Sequence, residues 1–283
     1  MSRQNKHGNA RGAVELMEEA VHLLRNATAA HWLCYLMGAL PFALGVLYFW
    51  SDMSHSGFAW QHETYAALGM TAGFIWLKCW QCAFVCQLRA RLSGQVDVVW
   101  DPKRVGRLVS TQTVIHATGL FILPIAAVLT LPFAWVFSFY QNASYTADGT
   151  SGELKPLISR TAALTRPWAA QNHAVLGTLS LATVFVLLNW VSAFVAIPML
   201  AKSLLGMESA FTLSSAAYLN TTFFAVIALL TWLTLDPLIK AVYLLRCFHA
   251  EAVTNGADLL AELHRLHPGN ANSAHNHGRG QRV

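Results

Sequence analysis

The chain alternates between long apolar runs nearly free of charge and short polar connections. An apolar helix of ~20 residues crosses the hydrocarbon core of a bilayer. The runs at 27–51, 64–88, 108–140, 174–201 and 211–245 all meet that length and predict five membrane segments. Ahead of the first, Val14, Met17, Val21 and Leu24 recur at helical spacing opposite Glu15, Glu18, Glu19 and Arg25, which predicts an amphipathic surface helix over 12–26. A second surface helix is predicted over 153–166, with Leu154, Leu157, Ile158 and Thr161 on one side and Lys155, Arg160 and Arg166 around it. Leu259, Leu260, Leu263 and Leu266 predict a short amphipathic helix over 251–267 on the cytoplasmic side. Residues 1–11 and the His-, Asn- and Gly-rich tail 268–283 have no apolar periodicity and are expected to be disordered.

The run 108–140 contains Pro124 and Pro132; it is too long for one upright helix and too short for two ordinary ones. Charge decides between its paths, because Lys and Arg accumulate on the cytoplasmic side of short loops. A single crossing would turn the C-terminal half over and put Lys155, Arg160, Arg166, Arg246 and Arg265 outside. A Pro-broken hairpin, or two short passes, instead leaves nearly every basic residue except Lys202 cytoplasmic or within a span. We therefore expect about five to six membrane segments, an even number of crossings and both termini in the cytoplasm. A surface helix, a span, an outer loop and a span ending in Leu-Arg occur over Val14 to Arg89 and again over Leu154 to Arg246. This is a weak parallel internal repeat in layout.

Composition agrees with lipid as the solvent. Of 283 residues, 55% are hydrophobic and 12% charged, against about a quarter charged in soluble domains, and the mean hydropathy is +0.41. A water-soluble enzyme is excluded, and the fold class expected is an all-α polytopic transmembrane helical bundle. The net charge of +5 resides in clusters flanking apolar runs, as membrane orientation requires, so we do not expect a nucleic-acid partner. Cys34, Cys79, Cys82, Cys86 and Cys247 lie in or beside apolar segments, unlike the framework of a secreted domain.

Three segments carry a resemblance: WVFSFYQNA from Trp135 to Ala143, RPWAAQNH from Arg166 to His173, and the stretch from Asp236 to Leu259 that begins DPLIKAVYLLRCFHAEAV. Together with the surface helix and paired spans, they resemble a family of uncharacterised bacterial polytopic inner-membrane proteins. That family is similar in layout to the membrane domain associated with glycerophosphodiester phosphodiesterases. The resemblance covers the chain from about Val14 to Leu263 and implies a bacterial inner-membrane module with other membrane proteins or an AAA+ ATPase as partners. It carries over no catalytic residue, and the phosphodiesterase catalytic domain has no counterpart here.

Asp236 is the first candidate for chemistry, because an ionisable side chain within a span is costly and marks a functional site or an interior ion pair. Lys240 follows one turn later, and Lys78 falls at nearly the same depth if the repeat holds. We expect Asp236 to pair with Lys240, Lys78 or both, either as a structural neutralisation or as a transport, proton-relay or ligand site. Cys79 and Cys82 form a CxxC that Cys86 extends along one helix face. It sits in mid-span rather than opening a helix, so we read it as packing. His22, His31, His116, His173 and His249 are scattered near span ends with no ligand pattern, while His264, His267, His275 and His277 lie in the tail. Asn189, with Ser180, Thr183 and Ser192, is expected to bond neighbouring helices. No Walker loop, nucleophile elbow or phosphate-binding glycine turn is present, so no cofactor, metal or catalytic residue is expected. The function expected is that of a non-enzymatic scaffold or subunit of a membrane-associated complex. The alternative is a small transporter or lipid-handling protein using Lys78, Asp236 and Lys240.

Overall fold

A computed structural model describes residues 12–94, 99–130, 133–214, 218, 220–256 and 259. The expected disordered segments 1–11 and 268–283, and nearly all of the expected helix beyond Gly256, lie outside the described residues. The fold is an all-α polytopic bundle: among the described residues there are helices and no strands. They are α1 (Ala13–Arg25), α2 (Ala29–His55), α3 (Glu63–Ser93), α4 (Pro102–Leu129), α5 (Phe133–Thr146), α6 (Leu154–Thr165), α7 (Ala169–Leu205), the short α8 (Ala210–Leu213) and α9 (Thr221–Asn255). Five of them, α2, α3, α4, α7 and α9, are long and apolar enough to cross a membrane.

The C-terminal boundaries differ from expectation. The apolar run from Phe211 does not enter the last span, because Asn220 caps α9 by accepting from the Thr222 amide at 3.0 Å and the helix starts only at Thr221. At its other end α9 continues unbroken to Asn255 and stops at Gly256 with a φ of +63°. The separate helix expected from residue 251 therefore begins as the last turn of the span.

Proline placement explains two inter-helix contacts. A proline inside a helix deprives the carbonyl four residues earlier of its partner, and in lipid no water replaces it. Pro41 of α2 frees Met37, whose carbonyl accepts the Trp76 indole N–H of α3 at 3.0 Å. Pro237 of α9 frees Leu233, whose carbonyl receives a long 3.5 Å bond from the Tyr35 hydroxyl of α2. Close packing joins α2 to α3 as well: a Cβ on Gly38 would stand 2.4 Å from Trp80 Cβ, so only glycine permits this approach.

The run 108–140 resolves into a hairpin. Helix α4 ends at Thr130, whose φ is +57°, and α5 returns along it, with Tyr140 bonded to Thr118 at 2.9 Å. The return is complete: Arg104 Nε donates to the Asp148 carbonyl at 2.9 Å and Arg107 Nε to that of Gly149 at 3.0 Å. The break falls at Thr130 rather than at Pro124, which stays inside α4. With 14 residues, α5 is about 21 Å long, short of the ~30 Å core.

Because the hairpin returns, one end of the bundle collects α1, α6, the start of α4 and the ends of α3 and α9. Lys202 and Glu208, 3.5 Å apart, mark the opposite end. The inward face of α1 is rotated from the expected apolar side: Leu24 is buried and Met17 packs on the core as expected, joined by Leu16, Ala20 and Leu23, while Val14 and Val21 are 68% and 49% exposed. This face packs on α7 and α9, so α1 docks on protein. Helix α6 packs mainly on α5; the repeat in layout is not a repeat in packing.

The hairpin has a direct test. In a background with the five native cysteines replaced, Asn26→Cys and Ser151→Cys should react with a membrane-impermeant maleimide from the same face, and Ser56→Cys from the other. Labelling of Asn26→Cys and Ser151→Cys from opposite faces would exclude the return path.

Candidate functional site

Three helices bring the predicted charges into one interior network. Lys78 and Gln81 are one turn apart on α3, Asp236 and Lys240 one turn apart on α9, and Gln141 and Ser144 project from α5. Asp236 is 5% exposed, Lys240 2% and Gln81 1%, while Lys78 is half-buried. Such burial costs several kcal/mol per ion unless polar partners replace water.

Those partners are amides. Gln81 donates its Nε2 to Asp236 Oδ2 at 2.6 Å and accepts from Lys78 Nζ at 3.1 Å through Oε1. One carboxamide thus meets the acid with its donor and the ammonium with its acceptor. Lys240 Nζ turns to α5, donating to Gln141 Oε1 at 2.7 Å and Ser144 Oγ at 3.3 Å. Among the described residues no direct ion pair joins Asp236 to either lysine. The expected contact is replaced by a bridge, because the long Lys240 side chain reaches Gln141 and Ser144 on α5 while the short Asp236 takes its donor from Gln81 on α3. Lys78 also stands over the Phe74 ring, 5.1 Å from its centroid, and Tyr35 adjoins Asp236.

His116 borders this network in the middle of α4, not at a span end as its position suggested. Its ring lies against Phe74 and Tyr140, with centroids 5.8 and 6.0 Å away, and its buried Nε2 meets no hydrogen-bond partner among the described residues. The CxxC cysteines pack as read: Cys82 and Cys86 are buried beside Leu108, and Cys82 Sγ contacts the Ala147 carbonyl at 3.3 Å. Among the described residues no group of three or more His, Cys, Asp or Glu side chains comes together as a metal site.

Two further charges on α9 were not singled out from the sequence. Arg246, 1% exposed, donates from Nε to Gln171 Oε1 at 3.2 Å and from Nη1 to Ser138 Oγ at 3.2 Å. It also reaches the carbonyls of Leu164, Thr165 and Pro167 at 3.3, 3.3 and 2.8 Å. These include carbonyls that the end of α6 leaves without helical partners, where a cation is favoured. Glu251 accepts from Tyr145 Oη and from Arg160 Nη2, each at 2.6 Å, and lies 3.8 Å from Arg89. Burial works against the Arg160 charge, but the Glu251 carboxylate outweighs it and holds the guanidinium above its ordinary pKa.

Helix α7 departs from expectation. Beyond Leu179 none of its residues is buried, and Thr183 bonds the Leu179 carbonyl of its own helix at 2.8 Å. Asn189 is exposed and makes no hydrogen bond among the described residues. Its neighbour Trp190 donates to Thr234 at 3.1 Å, which places Asn189 at the depth of Asp236. Comparison of the chain with protein-family models, with curated proteins and with solved structures finds no match.

The bridge predicts which pairs couple. Gln81→Leu strips both Asp236 and Lys78 and should lower stability in detergent by about 2–4 kcal/mol. Combined with Asp236→Asn it should fall short of additivity by ~1 kcal/mol or more, while Gln81→Leu with Gln141→Leu should be nearly additive. Equal coupling in both cycles, read by thermal unfolding, would remove the bridge.

Proposed function

We propose that the chain is a non-catalytic subunit of a larger membrane assembly, held in a bacterial inner membrane with both termini cytoplasmic. Asn189 carries this reading. A carboxamide facing hydrocarbon without a partner costs several kcal/mol, and interhelical amide contacts relieve that cost in membranes. Helix α7 supplies the setting, since beyond Leu179 none of its residues is buried and only the face that carries Trp190 and Phe194 touches α9, which leaves the face of Asn189 uncovered. A transmembrane helix offering an amide or hydroxyl at mid-depth is the partner that this surface suits. Gathering of the basic residues at one end supports the orientation through the bias of Lys and Arg toward the cytoplasm. The family resemblance supports other membrane proteins, or an AAA+ ATPase at the cytoplasmic end, as the other components.

A second reading rests on the interior network. Its lysines and acid touch amides and a hydroxyl rather than each other, and Lys78 is half-buried with, among the described residues, a single hydrogen bond to Gln81. Such a site suits a relay or polar-ligand role in a small transporter or lipid-handling protein.

Each reading has its own measurement. Asn189→Leu should leave the unfolding temperature of the isolated chain unchanged while reducing the particle mass in mild detergent to that of one chain; an unchanged larger particle would remove the subunit reading's support. For the second, vesicles containing the wild-type chain should conduct protons or a polar solute, and Asp236→Asn should abolish the flux. Identical flux from wild type and variant rules the relay out.

A further inference from the structure

Helix α4 lines two cavities that the interior network does not use. At its basic end Lys103, Gly106, Arg107, Ser110, Thr111 and Gly152 line a pocket of about 540 Å³. One turn further along, an apolar groove of about 420 Å³ begins at Val114 and passes Thr118 and Ile122, walled by Trp135 and Phe139 of α5 and Ile158 of α6. Positions 103, 107, 110, 114, 118 and 122 advance by three or four residues, so they form a single stripe on one helix face. That stripe is cationic at the bundle end and aliphatic toward the membrane interior.

The cations are available. Lys103 forms no ion pair among the described residues, and Arg107 uses only Nε, on the Gly149 carbonyl. Position 152 keeps room for that arginine, since a Cβ there would stand 3.2 Å from Arg107 Cδ. The nearby acid Asp148 is already engaged by Arg104 at 3.6 Å. Ser110 and Thr111 turn their hydroxyl protons to backbone carbonyls of α4, which leaves their oxygens facing the pocket as weak acceptors and the two cations as its main attraction. From Val114 to Ile122 the groove extends about 12 Å, close to the ~15 Å depth of one leaflet's hydrocarbon.

We propose that this face binds one anionic glycerophospholipid, with its phosphate held by Lys103 and Arg107 and one acyl chain laid along α4 against α5 and Ile158. Charge complementarity selects the headgroup, because two cations that pair with no acid among the described residues favour a net-negative lipid over a zwitterionic one. The apolar groove selects a lipid over a free anion. This site goes beyond the subunit reading and stands or falls independently of it.

The full chain, purified in mild detergent, is titrated with dioleoylphosphatidylglycerol, with dioleoylphosphatidylcholine and with inorganic phosphate. Binding is read by native mass spectrometry and by unfolding temperature. One phosphatidylglycerol should remain bound per chain and raise the unfolding temperature, while phosphatidylcholine and phosphate do neither. Lys103→Gln with Arg107→Gln should weaken retention roughly tenfold or more, and Val114→Trp, which fills the groove, should weaken it while the unfolding temperature without lipid stays that of wild type. Equal retention of the two lipids by the wild-type chain overturns the proposal, and that comparison needs no variant to fold. Binding of phosphate alone as tightly as phosphatidylglycerol also overturns it.

Discussion

Helix α9 carries its charged side chains inside the bundle, and each is buried where a neighbouring helix supplies polar atoms in place of water. Most come from α5. Gln141 and Ser144 meet Lys240, Ser138 meets Arg246, and Tyr145 meets Glu251. Asp236 faces the other way and takes its donor from Gln81 of α3. The hairpin that returns α5 into the bundle is therefore the condition on which the interior of α9 depends.

This constraint also accounts for the length of α5. A helix that lines α9 along its charged half has no need to cross the bilayer, and its polar residues Ser138, Asn142, Ser144 and Thr146 are buried in protein rather than exposed to lipid. The chain is apolar where it meets hydrocarbon and polar where its own helices meet. Helix α7 breaks the pattern at Asn189, the only amide described here in mid-span on an outward face without a partner. The network around Asp236 is closed within one chain; α7 is open.

Much of the architecture was legible because lipid imposes long, nearly charge-free runs, and the positions of Arg89, Arg160 and Arg246 favoured a hairpin over a single crossing. Asp236, Lys240 and Lys78 stood out for the same reason, as charges where charge is costly. Their partners did not. Gln81 sits inside the Cys79–Cys82 motif, where the cysteines draw the eye, and a lone glutamine in an apolar run has no pattern of its own. A polar side chain three residues after Lys78 on the same face was the available signal. Arg246 and Glu251 were hidden differently: near the end of a span, a charge reads as an orientation signal, and only packing reveals that it is buried. The inward face of α1 was read only in part, because Val14 and Val21 recur at helical spacing with Met17 and Leu24 as well as Leu16 and Leu23 do. Docking on α9 keeps Met17 and Leu24 and turns Val14 and Val21 outward.

The aromatic caps over the two proline breaks bear on how the chain is made. When α2 leaves the translocation machinery, the Met37 carbonyl faces lipid bare until Trp76 arrives, so α2 and α3 gain from partitioning as a pair. Leu233 meets no such delay, because α9 is synthesised after α2 and finds Tyr35 already in place. The break at Pro41 thus waits for a later partner, whereas the break at Pro237 meets one that is already there.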